Sequence, residues 1–287
     1  MGYLIEAIRS IEQQTYPDVE VITVVDGGYE LYKTVKTSLC SEKLSVDLRI
    51  VRNQGPRGLS TCRNIGVACT NADIVCFLDD DAVAHEKWIE ELVRIYSQYP
   101  RAIGVGGPLL PLGEIPWWIP KGFYWLLGVN QPEALDSDVV SVRNLYGSNM
   151  SFRREVFSKV GEFRCDLGLK GTTLLQAEEA EFCIRCLKAL NGIILFNPRA
   201  IVYHRILPHR LKPSYLYRRA FYQGYSKALL GRVYGLSVLN TERRHLKEVL
   251  KALVKPSLSL REWVKKTVSA TLTLTVGLGF LWGLYKS

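Results

Sequence analysis

The sequence predicts an α/β protein: a doubly wound unit around a mostly parallel sheet, continued by a basic helical appendage. Three observations carry this. Strand-like apolar runs alternate with helix-period segments over about the first 110 residues. Two of those runs end on acids, Val19–Val25 on Asp26 and Ile74–Leu78 on Asp79-Asp80-Asp81. Charge then changes sign along the chain: residues 1–204 hold 21 Lys/Arg and 25 Asp/Glu, whereas Arg205–Ser287 hold 16 and 3.

The elements follow in order. Leu4, Ile5, Ala7, Ile8 and Ile11 recur at helical spacing, so residues 3–14 read as an amphipathic helix, ended by Tyr16-Pro17-Asp18. The strand into Asp26 is followed by a helix over 29–40, a strand over 48–52 and a Gly-Pro loop over 53–58. A helix over 59–69 leads to the strand into Asp79, and a helix over 86–99 follows. Ile103–Gly106 is a short strand, after which Pro and Trp crowd the chain (Pro111, Pro116, Trp117, Trp118, Pro120). Two readings fit that stretch: tryptophans covering a cleft, or tryptophans completing a core. Helices are expected over 153–159 and 176–190, the second opening on Glu178, Glu179 and Glu181, and strands over 193–196 and 200–203, the last ending at His204.

From Ser214 the chain turns to helices that mix apolar residues with Arg and Lys. Residues 267–285 carry no charge, and at ~1.5 Å per residue they nearly cover a ~30 Å hydrocarbon core. Four threonines and three glycines dilute the segment, so a spanning helix and an interfacial one both fit. Arg261, Lys265 and Lys266 precede it and only Lys286 follows, which places the body of the protein on the cytosolic side. The basic third suits anionic lipid; no nucleic-acid motif accompanies it. Seven cysteines form no secreted-type framework, and no signal peptide opens the chain. Cys183-x-x-Cys186 lacks a second ligand pair, so buried reduced thiols in a reducing cytosol are expected.

Three adjacent acids repel one another unless a cation neutralises them, and oxygen ligands at a strand end suit Mg²⁺ or Mn²⁺. An acidic turn capping the next helix, through Asp81 or His85, fits the residues as well.

Further words bring these pieces together. Ala7-Ile8-Arg9-Ser10-Ile11-Glu12-Gln13-Gln14-Thr15-Tyr16-Pro17, Val25-Asp26-Gly27, Gly58-Leu59-Ser60-Thr61-Cys62-Arg63-Asn64-Ile65-Gly66, Phe77-Leu78-Asp79-Asp80-Asp81, Gly147-Ser148-Asn149-Met150-Ser151-Phe152-Arg153 and Glu178-Glu179-Ala180-Glu181 occur in that order. Over residues 3–228 the chain resembles the inverting family 2 glycosyltransferases of the GT-A fold, most of all archaeal enzymes that build lipid-linked glycans, some of which transfer hexuronic acid.

The resemblance implies a GT-A domain over 1–212, and the basic faces and uncharged run beyond it imply interfacial helices over 213–258 and a membrane-anchoring helix over 259–287. It implies a nucleotide-sugar donor, UDP-linked, and a polyprenyl- or dolichyl-phosphate-linked acceptor, with Mn²⁺ or Mg²⁺ bridging the diphosphate. Asp79 and Asp81 take the Asp-x-Asp positions, Asp79 near the ribose and Asp81 on the metal. Asp80 is the less defined member of the nucleotide-sugar group. His204 matches a position near the metal or diphosphate, Asp26 the residue that meets the base, and Arg63 a diphosphate contact. Glu179, with Glu178 second, matches the carboxylate that takes the acceptor proton. Adjacent glutamates point different ways on a helix, so one alone is expected to enter the cleft. Met1-Gly2 leads straight into the first helix, so the fold is expected to lack the family's usual first strand and the loop that clasps the base. Two alternatives remain: a non-catalytic homologue that binds a partner or glycan, and a nucleotidyltransferase, for which no Gly-rich triphosphate loop is present.

Overall fold

The computed structural model describes residues 1–130, 138–167, 174–257 and 259–286. Two compact units emerge. The first comprises Met1–Leu110, Gln131–Gly171 and Glu178–Arg205, and the second Pro111–Asn130, Thr172–Ala177 and Ile206–Ser287.

In the first unit α1 (Gly2–Glu12), β1 (Glu20–Val25), α2 (Tyr29–Ser41) and β2 (Asp47–Arg52) open the chain. Next come α3 (Leu59–Ala68), β3 (Ile74–Phe77), β4 (Ala82–Ala84), α4 (Trp88–Gln98), β5 (Ala102–Gly106) and β6 (Leu109–Leu112), the last straddling the unit boundary. After these lie β7 (Val140–Ser141), β8 (Met150–Arg153), α5 (Arg154–Val160), α6 (Glu178–Ala189), β9 (Ile193–Phe196) and β10 (Val202–Arg205). Strands β1 and β2 pair in parallel. The five-stranded sheet runs β3-β8-β5-β9-β7. It is mixed, which corrects the expectation of a mostly parallel sheet: β8 lies antiparallel between β3 and β5, and only β5 and β9 are parallel. The strand into Asp79, β3, lies at the edge of this sheet and is half-buried.

Apolar patterning explains the packing. Trp88, Leu92 and Ile95 recur on one face of α4 and pack with Val105, Leu109 and Val202. Phe152, Phe157, Phe163 and Phe182 form a second cluster, with Phe163 and Phe182 at 4.4 Å between ring centres. Ile8, Val25, Val35 and Leu39 join α1, β1 and α2. The buried Asn149 side chain donates to Pro108 O at 2.9 Å and Ala200 O at 2.8 Å and accepts from Trp88 Nε1 at 2.8 Å, tying three segments together.

The second unit is helical, with α7 (Pro213–Tyr234), α8 (Asn240–Val254) and α9 (Leu260–Tyr285). Ser259 caps α9 by accepting from Glu262 N at 3.2 Å. Ile119, Phe123 and Leu126 from the Pro/Trp-rich stretch pack with Leu216, Val249 and Leu272 of the three helices, and Trp118 and Trp125 lie against this cluster. Of the two readings of that stretch, these tryptophans fit the completion of a core. Trp117 is 48% exposed, with the Arg261 guanidinium 5.5 Å above its ring. The boundary expected at residue 258 falls outside the described residues.

Candidate active site

The acidic run leaves β3 in a tight turn, Ala82 N donating to Asp79 O at 3.1 Å, and β4 follows at once. That short strand, not foreseen in the sequence, decides the geometry. It pairs antiparallel with β10 so that His204 stands opposite Ala82, and Arg205 N donates to Asp81 O at 3.0 Å. His204 Nε2 thereby comes within 3.5 Å of Asp81 Oδ1. Asp79, Asp81 and His204 each offer a ligand atom within 4.8 Å of the other two, His204 being buried. Two carboxylates and an imidazole at that spacing fit one divalent cation. Asp81 does not cap α4: β4 intervenes, and His85 instead accepts from Lys87 N at 3.2 Å.

Asp79 faces two ways. Ser148 donates a hydrogen bond to its Oδ2, and Arg63 Nη2 lies 4.0 Å from its Oδ1. Sequence reasoning missed Ser148 as a site residue; its signal was its place in the Gly147-Ser148-Asn149-Met150 word. Asp80 projects from the turn and is exposed. Partial desolvation, with Asp81 and Asp79 adding repulsion, holds its carboxyl above the usual range.

Arg63, in the middle of α3, is buried. Its Nη1 lies 3.3 Å from Glu178 Oε1 and 3.2 Å from Glu179 Oε1. Both glutamates at the start of α6 therefore converge on one guanidinium, against the expectation that only one would reach the site. Long side chains in a first helical turn bend toward a shared cation. They differ in access: 1% of the Glu178 side chain is exposed and 19% of the Glu179 side chain. Burial, then the neighbouring Glu179 charge, pushes the Glu178 carboxyl well up, with Arg63 opposing. Burial works against the Arg63 charge, but Glu179, Glu178 and Asp79 outweigh it and the guanidinium is held more firmly protonated. Arg63 Nη2 and Glu178 Oε2 make no hydrogen bond among the described residues. Gly147 packs here without a side chain, since a Cβ would collide with Arg63 Nη2 and Glu179 Oε1.

Asp26, at the end of β1, stands apart from this cluster and is exposed. It accepts from Asn53 Nδ2 at 2.8 Å and Gly58 N at 3.0 Å, while Asn53 Oδ1 accepts from Gly55 N at 2.8 Å in an Asx turn. Gly58 has a φ of 149°, which a side chain would strain. Asp26 thus holds the 53–58 loop and keeps further lone pairs for a ligand. Burial, with Asp26 next, pushes the nearby Cys62 thiol up to about 11. Cys183 and Cys186 are buried and also raised by desolvation, so they are protonated thiols at neutral pH.

Residues 2–161 match the family model described as glycosyl transferase family 2. The chain belongs to that family. This family 2 glycosyltransferase is 33% identical over 288 residues to the glucosyl-dolichyl phosphate glucuronosyltransferase of Haloferax volcanii, spanning 97% of the present chain and 90% of that protein. Its fold is shared with the mannosyltransferase PcManGT from Pyrobaculum calidifontis, solved with GDP-Man and Mn²⁺, at 17% identity and a TM-score of 0.63, over 100% of this chain and 84% of that one. It is shared too with Staphylococcus aureus TarS 1–349 solved with UDP-GlcNAc, at 14% identity and a TM-score of 0.53, over 96% and 78%. The glycosyltransferase therefore shares the α/β architecture of these two proteins.

Proposed function

We propose that the enzyme transfers a hexuronic acid from a UDP-linked donor, with inversion, onto a polyprenyl- or dolichyl-phosphate-linked sugar. The observation that carries the reading is the convergence of Asp79, Asp81 and His204 in a chain that matches a lipid-linked glucuronosyltransferase almost end to end. The mixed oxygen and nitrogen donor set suits Mn²⁺ better than Mg²⁺, which prefers oxygen and water. A bound Mn²⁺ supplies charge neutralisation for the departing diphosphate.

The chain's own groups divide the remaining work. Asp26 accepts the N3–H of uracil. Arg63 turns Nη2 toward Asp79, where it is placed to meet a diphosphate oxygen. Glu179, the more accessible of the pair, takes the proton of the acceptor hydroxyl as that oxygen attacks the anomeric carbon; Glu178 stays buried behind it. The basic C-terminal third draws the enzyme to the cytosolic face of the membrane, where the acceptor resides.

The test uses full-length protein, a UDP-hexuronic acid, a polyprenyl-phosphate-linked glucose and Mn²⁺. Expected is a product of inverted anomeric configuration by NMR, formed only with divalent metal. Retained configuration, or turnover that persists in chelator, would overturn the mechanism.

A further inference from the structure

α9 is the one described helix long and apolar enough to cross a membrane, yet its partnership with α7 argues against crossing. The two helices run in parallel, and glycines let their backbones touch. A Cβ on Gly224 would collide with the backbone of Val276 and Phe280, one on Gly279 with the backbone of Phe221, and one on Gly283 with Ala228 and Tyr225. Tyr217 OH and Thr271 Oγ1 lie 2.7 Å apart at the start of the same seam. The seam fixes α7 alongside the uncharged part of α9, level with Arg218 and Lys227 and one turn short of Arg232. Arg218 and Arg232 are exposed, and Lys227 pairs with Glu242 of α8 at 2.9 Å. A spanning α9 would carry these charges into hydrocarbon, where ionised side chains are strongly disfavoured.

The faces of α9 agree. Leu272, Gly279 and Gly283 are buried toward α7. At 100° per residue, Trp263 near the start and Leu274, Leu278, Leu281, Trp282 and Tyr285 in the second half share the opposite side, each at least 45% exposed. Arg261 and Lys265 lie away from that stripe. α8 repeats the pattern: exposed Leu246, Leu250 and Val254 run beside Lys247 and Lys251, with Val249 turned to the core. An apolar stripe clear of charge on α9, and one bordered by cations on α8, are what helices lying in the headgroup region present to anionic lipid.

We infer that the α7–α9 unit is a monotopic anchor, with α8 and α9 lying in the plane of an anionic membrane surface and neither end crossing it. This rests on the reading that the C-terminal third meets a membrane, and it narrows that reading to one geometry.

The experiment adds an epitope after Ser287 of the full-length protein and presents the protein to sealed vesicles of phosphatidylcholine with or without phosphatidylglycerol. Flotation measures binding, and external protease measures access to the tag. Expected are binding that phosphatidylglycerol strengthens, a tag cleaved from the same side as the body, at least ~tenfold weaker binding for Leu274→Glu/Leu278→Glu, and loss of the phosphatidylglycerol preference for Lys247→Glu/Lys251→Glu. These positions are exposed, so circular dichroism of each variant should match the parent. A tag protected inside the vesicle while the body is cleaved overturns the in-plane geometry but leaves the membrane reading standing. No flotation with either lipid overturns the membrane reading, and with it the inference. Hexuronic acid transfer to a soluble acceptor analogue, assayed in parallel, reports separately on the catalytic proposal.

Discussion

Both units have apolar cores, and they differ in what they bury beside them. The first sequesters charge: Arg63, Glu178, Glu181 and His204 are all inside it, each next to an opposite or metal-ligating partner. The second packs small groups, Gly224, Ala228, Gly279 and Gly283, along one seam, buries Arg219 among its charged residues, and leaves Leu246, Leu250, Leu274 and Leu278 with Arg218 and Arg232 outside. Buried charges are costly and gain specificity only from fixed geometry, so they suit the place where the proposed transfer would have to recognise a charged diphosphate. Close backbone packing has no chemistry of its own, and it builds a rigid platform whose outer face is free to meet lipid. Each expectation below separates these two ways of using an interior.

The largest effect should fall on the metal cluster. Asp81→Ala removes a ligand and leaves His204 without its carboxylate, so kcat/KM should drop by ~10²–10³-fold or more, while secondary structure is kept. Steady-state transfer with a Mn²⁺ titration checks this, and full activity in the variant would sink the metal role. Ser148→Ala, which frees Asp79 from its hydrogen bond, should weaken apparent Mn²⁺ affinity by ~10–100-fold with a smaller change in saturated rate.

Next in size is the buried ion cluster. Arg63→Met strands the buried Glu178 beside the partly exposed Glu179 and should destabilise the first unit by ~3–5 kcal/mol in urea unfolding. The equivalent strain on the second unit is smaller: Gly224→Leu forces the α7–α9 seam apart and should cost ~1–3 kcal/mol, leaving UDP binding by isothermal titration unchanged. A loss of UDP binding in that variant would break the distinction between the units.

What the sequence revealed follows from the range of the interactions. Local pattern located α1 to α6, β9 and the acidic strand end, because periodicity and turn residues act over a few positions. The family words brought Asp79, Asp81 and His204 into one expectation. The pairing of β4 with β10 was not legible: three residues, Ala82-Val83-Ala84, carry no strand signal of their own and are ordered by a partner more than a hundred positions away. The antiparallel insertion of β8 and the convergence of both glutamates on Arg63 were hidden for the same reason, since sequence spacing does not show which long side chain a remote cation will attract.

A subtler test lies in the pH dependence of stability. Glu178 is held well above its ordinary 4.5 by burial first and Glu179 second, so the native state binds its proton more tightly than the unfolded chain does. Its stabilising contribution is full below about pH 4.5 and is lost as pH rises through the raised native value. Glu178→Gln keeps the shape and cannot ionise. The variant should melt above wild type at neutral and alkaline pH, with the gap closing toward pH ~4. A gap that widened on acidification would reverse the assignment.

The smallest effect should belong to Asp80, which shares the acidic run but not its cluster. It is exposed, and its raised carboxyl pKa comes from partial desolvation and from the charges of Asp81 and Asp79. Asp80→Asn removes one of three mutually repelling charges and no metal ligand, so kcat/KM should change by less than ~threefold. Without metal the variant should melt slightly above wild type at neutral pH, and the difference should vanish on acidification as Asp80 protonates in both folded and unfolded chains. Saturating Mn²⁺ should erase the difference as well, because a bound cation already offsets the repulsion that the substitution relieves. A loss of activity as large as that of Asp81→Ala would instead place Asp80 inside the site, and the first unit would then hold a fourth ligand where the structure shows a solvent-facing neighbour.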